Sequence, residues 1–176
     1  SAKNDGVIVE GLAEALVNHP DLVKKYLMTE AVNVDEHRIT ALHTALINGG
    51  LFVYVPKNVV VEHPIQYVVL HDDEKASFFN HVIIATEESA EVTYVENYLS
   101  NSEGNDNQVN IISEVIAGAN SNITYGSVDY LDEGFTSHII RRGHAEADAS
   151  INWALGLMNN GSQIIDNTTN LIGDRS

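Results

Sequence analysis

The feature of the sequence that most constrains its fold is a regular repeat of isoleucine pairs. The pairs Ile83-Ile84, Ile111-Ile112 and Ile139-Ile140 are evenly spaced along the chain. A period of this size, about 28 residues, is typical of stacked supersecondary units, each of which packs only against its neighbours. Because the repeated runs are short and rich in β-branched residues, we expect each unit to consist of strands.

A second repeat joins a small or polar residue to a β-branched residue and an aromatic one. It reads Ala90-Glu91-Val92-Thr93-Tyr94, Ser121-Asn122-Ile123-Thr124-Tyr125 and Ala149-Ser150-Ile151-Asn152-Trp153. The interval from Val92 to Ile123 is slightly longer than the interval from Ile123 to Ile151, and the second interval equals that of the isoleucine pairs. We attribute the longer first interval to a loop insertion in the polar stretch from Ser100 to Asn107.

Together the two repeats predict a mainly β fold, a right-handed parallel β-helix (solenoid). Each coil would hold two or three short strands joined at corners, and each strand would pair with its equivalent in the next coil, about 4.8 Å away. Ile and Val would pack inward, with Gly, Asn and Ala at the corners. An ordinary β-sandwich stays open as an alternative, because three copies can share a spacing by chance.

The segment 1–50 differs from the rest of the chain and is predicted to be helical. A helix is expected around Leu12 and Val17, and Pro20 suits the first turn of a second helix. A third helix is expected from Asp35 to Asn48, ended by two glycines; its apolar stripe would be Ile39, Leu42, Leu46 and Ile47. We therefore divide the chain into an N-terminal helical segment (1–50) and a β-helix (51–176). The final residues, from Leu171, look like the start of another coil, so we expect the β-helix to be truncated at its C-terminal end.

Composition excludes several classes of function. The chain has no cysteine, so it can form neither a disulfide nor a thiolate metal site. Nine basic and 25 acidic residues give a formal net charge of −16, which disfavours binding to nucleic acid or to an anionic membrane. No apolar run approaches the roughly 20 residues that span a bilayer, and no signal peptide is visible. We expect a cytoplasmic protein.

Acidic residues are concentrated in the middle of the chain. No Lys or Arg occurs between Ala76 and Ile140, whereas ten acidic residues do. This region could attract a basic protein partner, or it could simply be a solvated surface.

One set of side chains has a spacing that could serve a metal ion. His144, Glu146 and Asp148 alternate with Ala145, Ala147 and Ala149, so in a strand the three polar side chains would share one face. An imidazole with two carboxylates could hold a divalent metal. The alternative is that the alanines pack inward and the polar face is hydrated.

The remaining polar groups predict no catalytic site. Asp72-Asp73-Glu74 and Glu87-Glu88 are paired carboxylates at expected turns; we expect solvated loops there, with no convergent Lys or Arg nearby. His43 is expected on a helix surface or half-buried. No Ser–His–Asp arrangement can be argued from the sequence alone.

A longer stretch resembles a known family. It runs Gly49-Gly50-Leu51-Phe52-Val53-Tyr54-Val55-Pro56-Lys57-Asn58-Val59-Val60-Val61-Glu62-His63-Pro64. This stretch is similar to the segment that opens the β-helix in the SufB/SufD family of iron–sulfur cluster assembly proteins. Similarity to later coils of the family continues through Arg141-Arg142-Gly143 and the terminal Gly173-Asp174-Arg175-Ser176, and the helical start is similar more weakly. The resemblance covers roughly residues 36–176.

The resemblance implies a role as a non-catalytic scaffold subunit of the SUF complex. The implied partners are a SufB-like scaffold and a SufC-like ATPase. It implies no cofactor in this fragment, and an iron–sulfur cluster only in the full complex, since the cluster-proximal residues of the family lie beyond Ser176. The absence of cysteine favours the SufD type, as do Asp129 and Tyr130, which depart from the SufB pattern.

Two other functions stay open at the level of sequence. The first is a β-helix enzyme acting on carbohydrate, which would need a cleft with clustered carboxylates and basic residues. The second is a purely structural, self-associating β-solenoid, for which a homodimer is possible.

Overall fold

The chain folds into a parallel β-solenoid of about four turns, with a few short helices at its N-terminal end. The computed structural model describes residues 6–33, 38–71, 77–100, 107–130, 135–158 and 162–175. Within these ranges, none of the helices is long and apolar enough to cross a membrane.

The strands form two sheets, and each turn of the solenoid contributes one strand to each sheet. The six-stranded sheet has the order β1-β2-β4-β6-β8-β10. Its strands are β1 Ile8–Gly11, β2 Gly49–Val55, β4 Phe78–Thr86, β6 Asn107–Ala117, β8 Phe135–Ala145 and β10 Ser162–Leu171. The four-stranded sheet contains β3 Ile65–His71, β5 Glu91–Ser100, β7 Asn122–Tyr130 and β9 Ser150–Leu157, in that order. All neighbours pair in parallel except β1, which runs antiparallel to β2.

The second sequence repeat corresponds to the strand register. Val92 pairs with Ile123 and Ile123 with Ile151, so these residues form one inward-facing column of the four-stranded sheet. The aromatic residues form the next column, in which Tyr94 pairs with Tyr125 and Tyr125 with Trp153. Each member is buried or partly buried between the two sheets.

The isoleucine repeat matches the register at only one of its two intervals. Ile111 does pair with Ile139, but Ile83 pairs with Glu114 and not with Ile111. Leu99 and Tyr130 are equivalent positions in successive coils, because they pair with each other. The next strand, β6, begins eight residues after Leu99, whereas its equivalent, β8, begins five residues after Tyr130. Three extra residues therefore lie between Leu99 and the start of β6, where the sequence predicts an insertion. They lengthen the offset from β4 to β6 by the same amount, so the even spacing of the first isoleucine interval is a coincidence.

Residues with positive φ mark one corner of every turn. Asn58, Ser89, Asn120 and Asp148 have φ between 56° and 62°, and Arg175 repeats the conformation at the end. The amide of each of the first four donates to a carbonyl one coil further along; Asn120, for example, donates to Ala147. Asn and Asp tolerate this left-handed conformation better than other residues with a side chain, so the stacked corners follow from the sequence.

The helices are α1 Leu12–Asn18, α2 Pro20–Tyr26 and α3 Arg38–Leu46. Pro20 occupies the first turn of α2, as predicted. The third helix ends at Leu46, before the predicted end at Asn48. The first residues of the predicted range, like the side chain of Ile39, fall outside the described part of the chain.

The buried face of α3 differs from the predicted one. The predicted stripe is wrong for Leu42 and Leu46, which are both exposed, while Thr40 and His43 are fully buried. The prediction of an exposed or half-buried His43 is therefore also wrong. His43 faces the sheet, where it contacts the buried His81, and Leu42 and Leu46 of this short helix face outward.

The helices cover the outer face of the six-stranded sheet. Leu12, Val23 and Tyr26 pack against Phe52 and Ile83 of that face. A larger apolar core lies between the sheets and includes Val53, Ile84, Val92, Val115 and Ile123. The outer face of the four-stranded sheet has no such helical cover in the described part of the chain.

Candidate functional site

The residues proposed from sequence as metal ligands lie at a corner of the solenoid. His144 is on β8, but the strand ends at Ala145, so Glu146 and Asp148 belong to the turn that follows. The carboxylate of Glu146 accepts a hydrogen bond from the Ala119 amide. Asp148 has the positive φ of the stacked corner and forms a surface ion pair with Arg175. The three side chains do not share one strand face.

Across the ranges that the structure describes, no three His, Cys, Asp or Glu side chains are grouped closely enough to hold a metal ion. Ala145 and Ala149 are buried, which is the alternation expected when the alanines pack inward.

A surface cleft of about 380 Å³ lies beside this corner, between α2 and the turns of the coils. Its lining includes Glu87, Glu88 and Lys57. The prediction that no Lys lies near Glu87-Glu88 is wrong, because the Lys57 ammonium is 2.5 Å from the Glu88 carboxylate. Glu87 accepts a hydrogen bond from Tyr54, whose pKa is raised by burial and by this carboxylate. Asp72-Asp73-Glu74 falls outside the described residues.

The most unusual chemistry is inside the solenoid, where a group of polar side chains lies beside the apolar core. We name it the polar core; its members are Tyr94, Glu96, Tyr98, Ser113, Tyr125, Ser127, Asp129 and Arg141. Strand alternation places them there, because even-numbered residues of β5 and odd-numbered residues of β7 face inward. Arg141 reaches the same space from β8, in the opposite sheet.

Glu96 is the acceptor at the centre of the polar core. It has no exposed surface and accepts hydrogen bonds from three phenols: Tyr94 at 2.9 Å, Tyr98 at 3.3 Å and Tyr125 at 2.5 Å. Burial raises the pKa of Glu96, while the charge of Arg141 and the phenol of Tyr125 oppose the rise. Burial also raises the pKa values of the three tyrosines well above their ordinary value, so the phenols stay protonated and act as donors.

Arg141 connects the two sheets electrostatically. One terminal nitrogen of its guanidinium lies 3.2 Å from Glu96, 2.9 Å from Asp129 and 2.8 Å from the Ser127 hydroxyl. Its Nε and Nη1 atoms have no hydrogen-bond partner among the described residues. Burial disfavours the charge on Arg141, but the phenol of Tyr125 and the two carboxylates raise its pKa. One cation thus faces two carboxylates in a space that water does not reach.

The polar core extends towards the first coil through an amide. The Asn80 side chain donates to the Tyr98 hydroxyl at 2.5 Å and accepts from Tyr67 at 3.0 Å. Burial raises the pKa of Tyr67 to about 12. Disruption of such a network is costly, so it favours one arrangement of the surrounding strands over others.

A second buried group joins the helical segment to the solenoid. His43 of α3 lies 3.2 Å from His81 of β4, and His81 lies 2.8 Å from the Glu114 carboxylate of β6. Glu114 also accepts the amides of Met28 and Val32 from the chain between α2 and α3. Burial and the neighbouring His81 lower the pKa of His43 to about 3, so His43 is neutral at physiological pH.

Sequence reasoning missed Glu96, Glu114 and Arg141. A signal existed: each is a charged residue within a strand-like run, at a position whose neighbours two residues away are apolar or aromatic. A carboxylate there needs a buried cation or donors, and Arg141 is the first basic residue after the long stretch that contains none.

Comparison with known proteins gives matches over the whole chain. Residues 1–67 match the family profile described as "SufBD protein N-terminal region", and residues 68–176 match "SUF system FeS cluster assembly, SufBD core domain". The chain is 54% identical over 173 residues to the iron–sulfur cluster assembly protein SufD of Bacillus subtilis, with 98% of the chain covered.

More distant relatives carry the SufBD family name. A protein of Trieres chinensis is 26% identical over 156 residues, and one of Staphylococcus saprophyticus is 24% identical over 154 residues. These matches cover 84% and 88% of the chain. The chain spans 40% of the length of the Bacillus relative and about a third of the other two.

Proposed function

The chain belongs to the SufB/SufD family of iron–sulfur cluster assembly proteins and is most like SufD, and from this premise we propose that it is part of a non-catalytic scaffold subunit of a SUF assembly complex. The observation that carries the proposal is the 54% identity to Bacillus SufD over nearly the whole chain. The full-length protein would act in the cytoplasm with a SufB-like scaffold and a SufC-like ATPase.

The chemistry of the described residues supports a scaffold role for this part of the subunit. The chain offers no thiolate to ligate iron, and the two carboxylates of the polar core are already bonded to phenols and to Arg141. The hydrogen bonds of the polar core hold the coils in a fixed stack. In the proposed complex, the iron–sulfur cluster is cargo, assembled by residues outside this chain.

Complex formation tests the proposal. Full-length protein, a purified SufB-like subunit and a purified SufC-like ATPase would be mixed in all combinations and run on a sizing column with light scattering. We expect a stable species that contains all three and a pairwise species with the SufB-like subunit. If the full-length protein elutes alone in every mixture, while the other two still associate, the proposed role is wrong.

The same experiment distinguishes the structural alternative. A self-associating solenoid would give a homo-oligomer whose mass rises with its own concentration and does not change when the other subunits are added. A variant with Val17, an exposed residue of α1, changed to Glu provides a control for nonspecific effects of surface charge.

A further inference from the structure

The four-stranded sheet presents an outward face without charged side chains. We name this surface the uncharged face. It consists of the outward positions of β3, β5, β7 and β9 from the row of Gln66 onward: Gln66, Val68, Leu70, Val95, Asn97, Leu99, Gly126, Val128, Tyr130, Ala154, Gly156, and Met158, which follows β9. The strand register aligns these positions in rows, such as Leu70 beside Leu99 and Leu99 beside Tyr130.

The uncharged face is also apolar and open to solvent. Six of its larger side chains are between 36% and 64% exposed: Val68, Leu70, Leu99, Val128, Tyr130 and Met158. Single exposed apolar residues are common, but contiguous apolar patches mark interaction sites. The outer face of the other sheet carries similar residues, such as Phe52 and Ile83, and there the helical segment covers them.

Charge around the uncharged face specifies the kind of partner. The chain has a formal net charge of −16, and no Lys or Arg occurs between Ala76 and Ile140, the region that supplies β5 and β7. Glu91, exposed at the start of β5, lies on the same side of the sheet, two rows before the face begins. A protein that docks here would contact apolar side chains at the centre of the face, and the surrounding chain would present a negative electrostatic potential to it.

We propose that the uncharged face docks a different protein, whose contact surface is an apolar patch flanked by Lys and Arg. A second copy of this chain is a poor match, because an isologous contact would bring together two chains that each carry a formal net charge of −16. A basic partner gains attraction at the rim and buries apolar area at the centre. The proposal is independent of the scaffold function, since it concerns one surface of this chain.

Site-specific photo-cross-linking in the full-length protein tests the proposal. A benzophenone side chain would replace Val128 at the centre of the face, and in a matched control it would replace Val17 on α1. We expect an adduct from the Val128 position only, mapped by mass spectrometry to an apolar segment flanked by Lys or Arg. An adduct with a second copy, an adduct within the same chain, or no adduct beyond the control would overturn the proposal.

Binding by the purified partner completes the test. The captured protein would be titrated against the full-length protein and its variants. We expect Val68→Glu to weaken binding at least tenfold, Val17→Glu to leave it unchanged, and 1 M salt to weaken it. Gln66→Lys should weaken binding to a basic partner, whereas Gln66→Glu should not. A captured protein that does not bind, or that binds more tightly to Gln66→Lys, would contradict the proposal. Unchanged circular dichroism would show that these exposed substitutions leave the fold intact.

Discussion

Arg141 on β8 and Glu96 on β5 meet across the interior of the solenoid, 3.2 Å apart, and neither side chain has exposed surface. The two strands belong to different sheets and are separated by 45 residues between these positions. The pair, with Asp129, is therefore a tertiary contact that forms only when the coils are stacked in the correct register.

Removal of the buried cation should be strongly destabilising. Arg141→Met leaves Glu96 and Asp129 without their counter-charge, and breaking such a buried pair costs about 3–5 kcal/mol. Urea denaturation would measure the loss. Arg175 forms an ion pair with Asp148 at the surface, so Arg175→Met is a matched control that should cost less than about 1 kcal/mol. Equal losses for the two variants would show that the buried pair has no special role.

Glu114 should control how firmly the chain between α2 and α3 is held. In Glu114→Ala the amides of Met28 and Val32 lose their acceptor. A hydrogen bond to a charged group contributes about 1.5–3 kcal/mol, so hydrogen exchange at these amides should accelerate by roughly 10- to 100-fold. Amides of β8, which pairs with β6 through backbone hydrogen bonds, should keep most of their protection and serve as the internal control. Unchanged exchange at Met28 and Val32 would contradict the arrangement.

His43 should make the fold sensitive to acid. Its folded-state pKa is lowered to about 3 by burial and by His81, whereas an unfolded histidine has a pKa near 6.5. Between these two pKa values, His43 is protonated in the unfolded state and neutral in the folded state. This contribution to stability is complete above pH 6.5 and is lost as the pH falls from 6.5 towards 3.

The effect is measurable as the slope of the free energy of unfolding against pH. Between about pH 6 and pH 4, one such group contributes a slope approaching 1.4 kcal/mol per pH unit. His43→Phe should reduce the slope, relative to the wild-type protein, by about this amount. Equal slopes in wild type and His43→Phe would show that the folded state accepts the proton.

Substitutions at the corner residue Asn120 should differ in stability according to how well the new residue tolerates a positive φ. Its φ of 56° is accessible to Gly and is strained for a β-branched residue. We expect Asn120→Val to lower the free energy of unfolding by about 1–2 kcal/mol, and Asn120→Gly to cost clearly less. Thermal or urea denaturation of the two variants side by side would measure the difference, and the reverse order would contradict the stacked-corner geometry.

The solenoid was predictable because its repeats follow directly from strand pairing. The column of Val92, Ile123 and Ile151 appears in the sequence as it does in the structure, including the insertion after Leu99. The isoleucine pairs predict the same fold, although Ile83 proves to lie beside Glu114. The isoleucine spacing could not reveal this, because its first interval is even only by coincidence; the longer interval from Val92 to Ile123 is the signal of the inserted residues.

The buried polar groups were harder to predict, since their partners are distant in the chain. Glu96 and Arg141 meet only because β5 and β8 lie in opposite sheets with both residues facing inward. His43 illustrates the same limit: the apolar stripe of α3 suggests that Leu42 is buried, yet the contact with His81 turns the helix so that Leu42 is exposed. The local sequence pattern predicts which apolar residues are buried. Which polar residues are buried with them depends on tertiary partners that are distant in the sequence.

The central claim is that this chain is part of a SufD-like subunit that supports cluster assembly without performing the chemistry itself. The most direct test is an omission experiment with purified SufB-like and SufC-like proteins, iron, a sulfide source and ATP, in which cluster formation is followed by visible absorbance. We predict that the full-length protein alone forms no cluster, and that its omission from the complete mixture lowers the yield on the SufB-like subunit. Cluster formation by the full-length protein alone, or an undiminished yield without it, would contradict the claim.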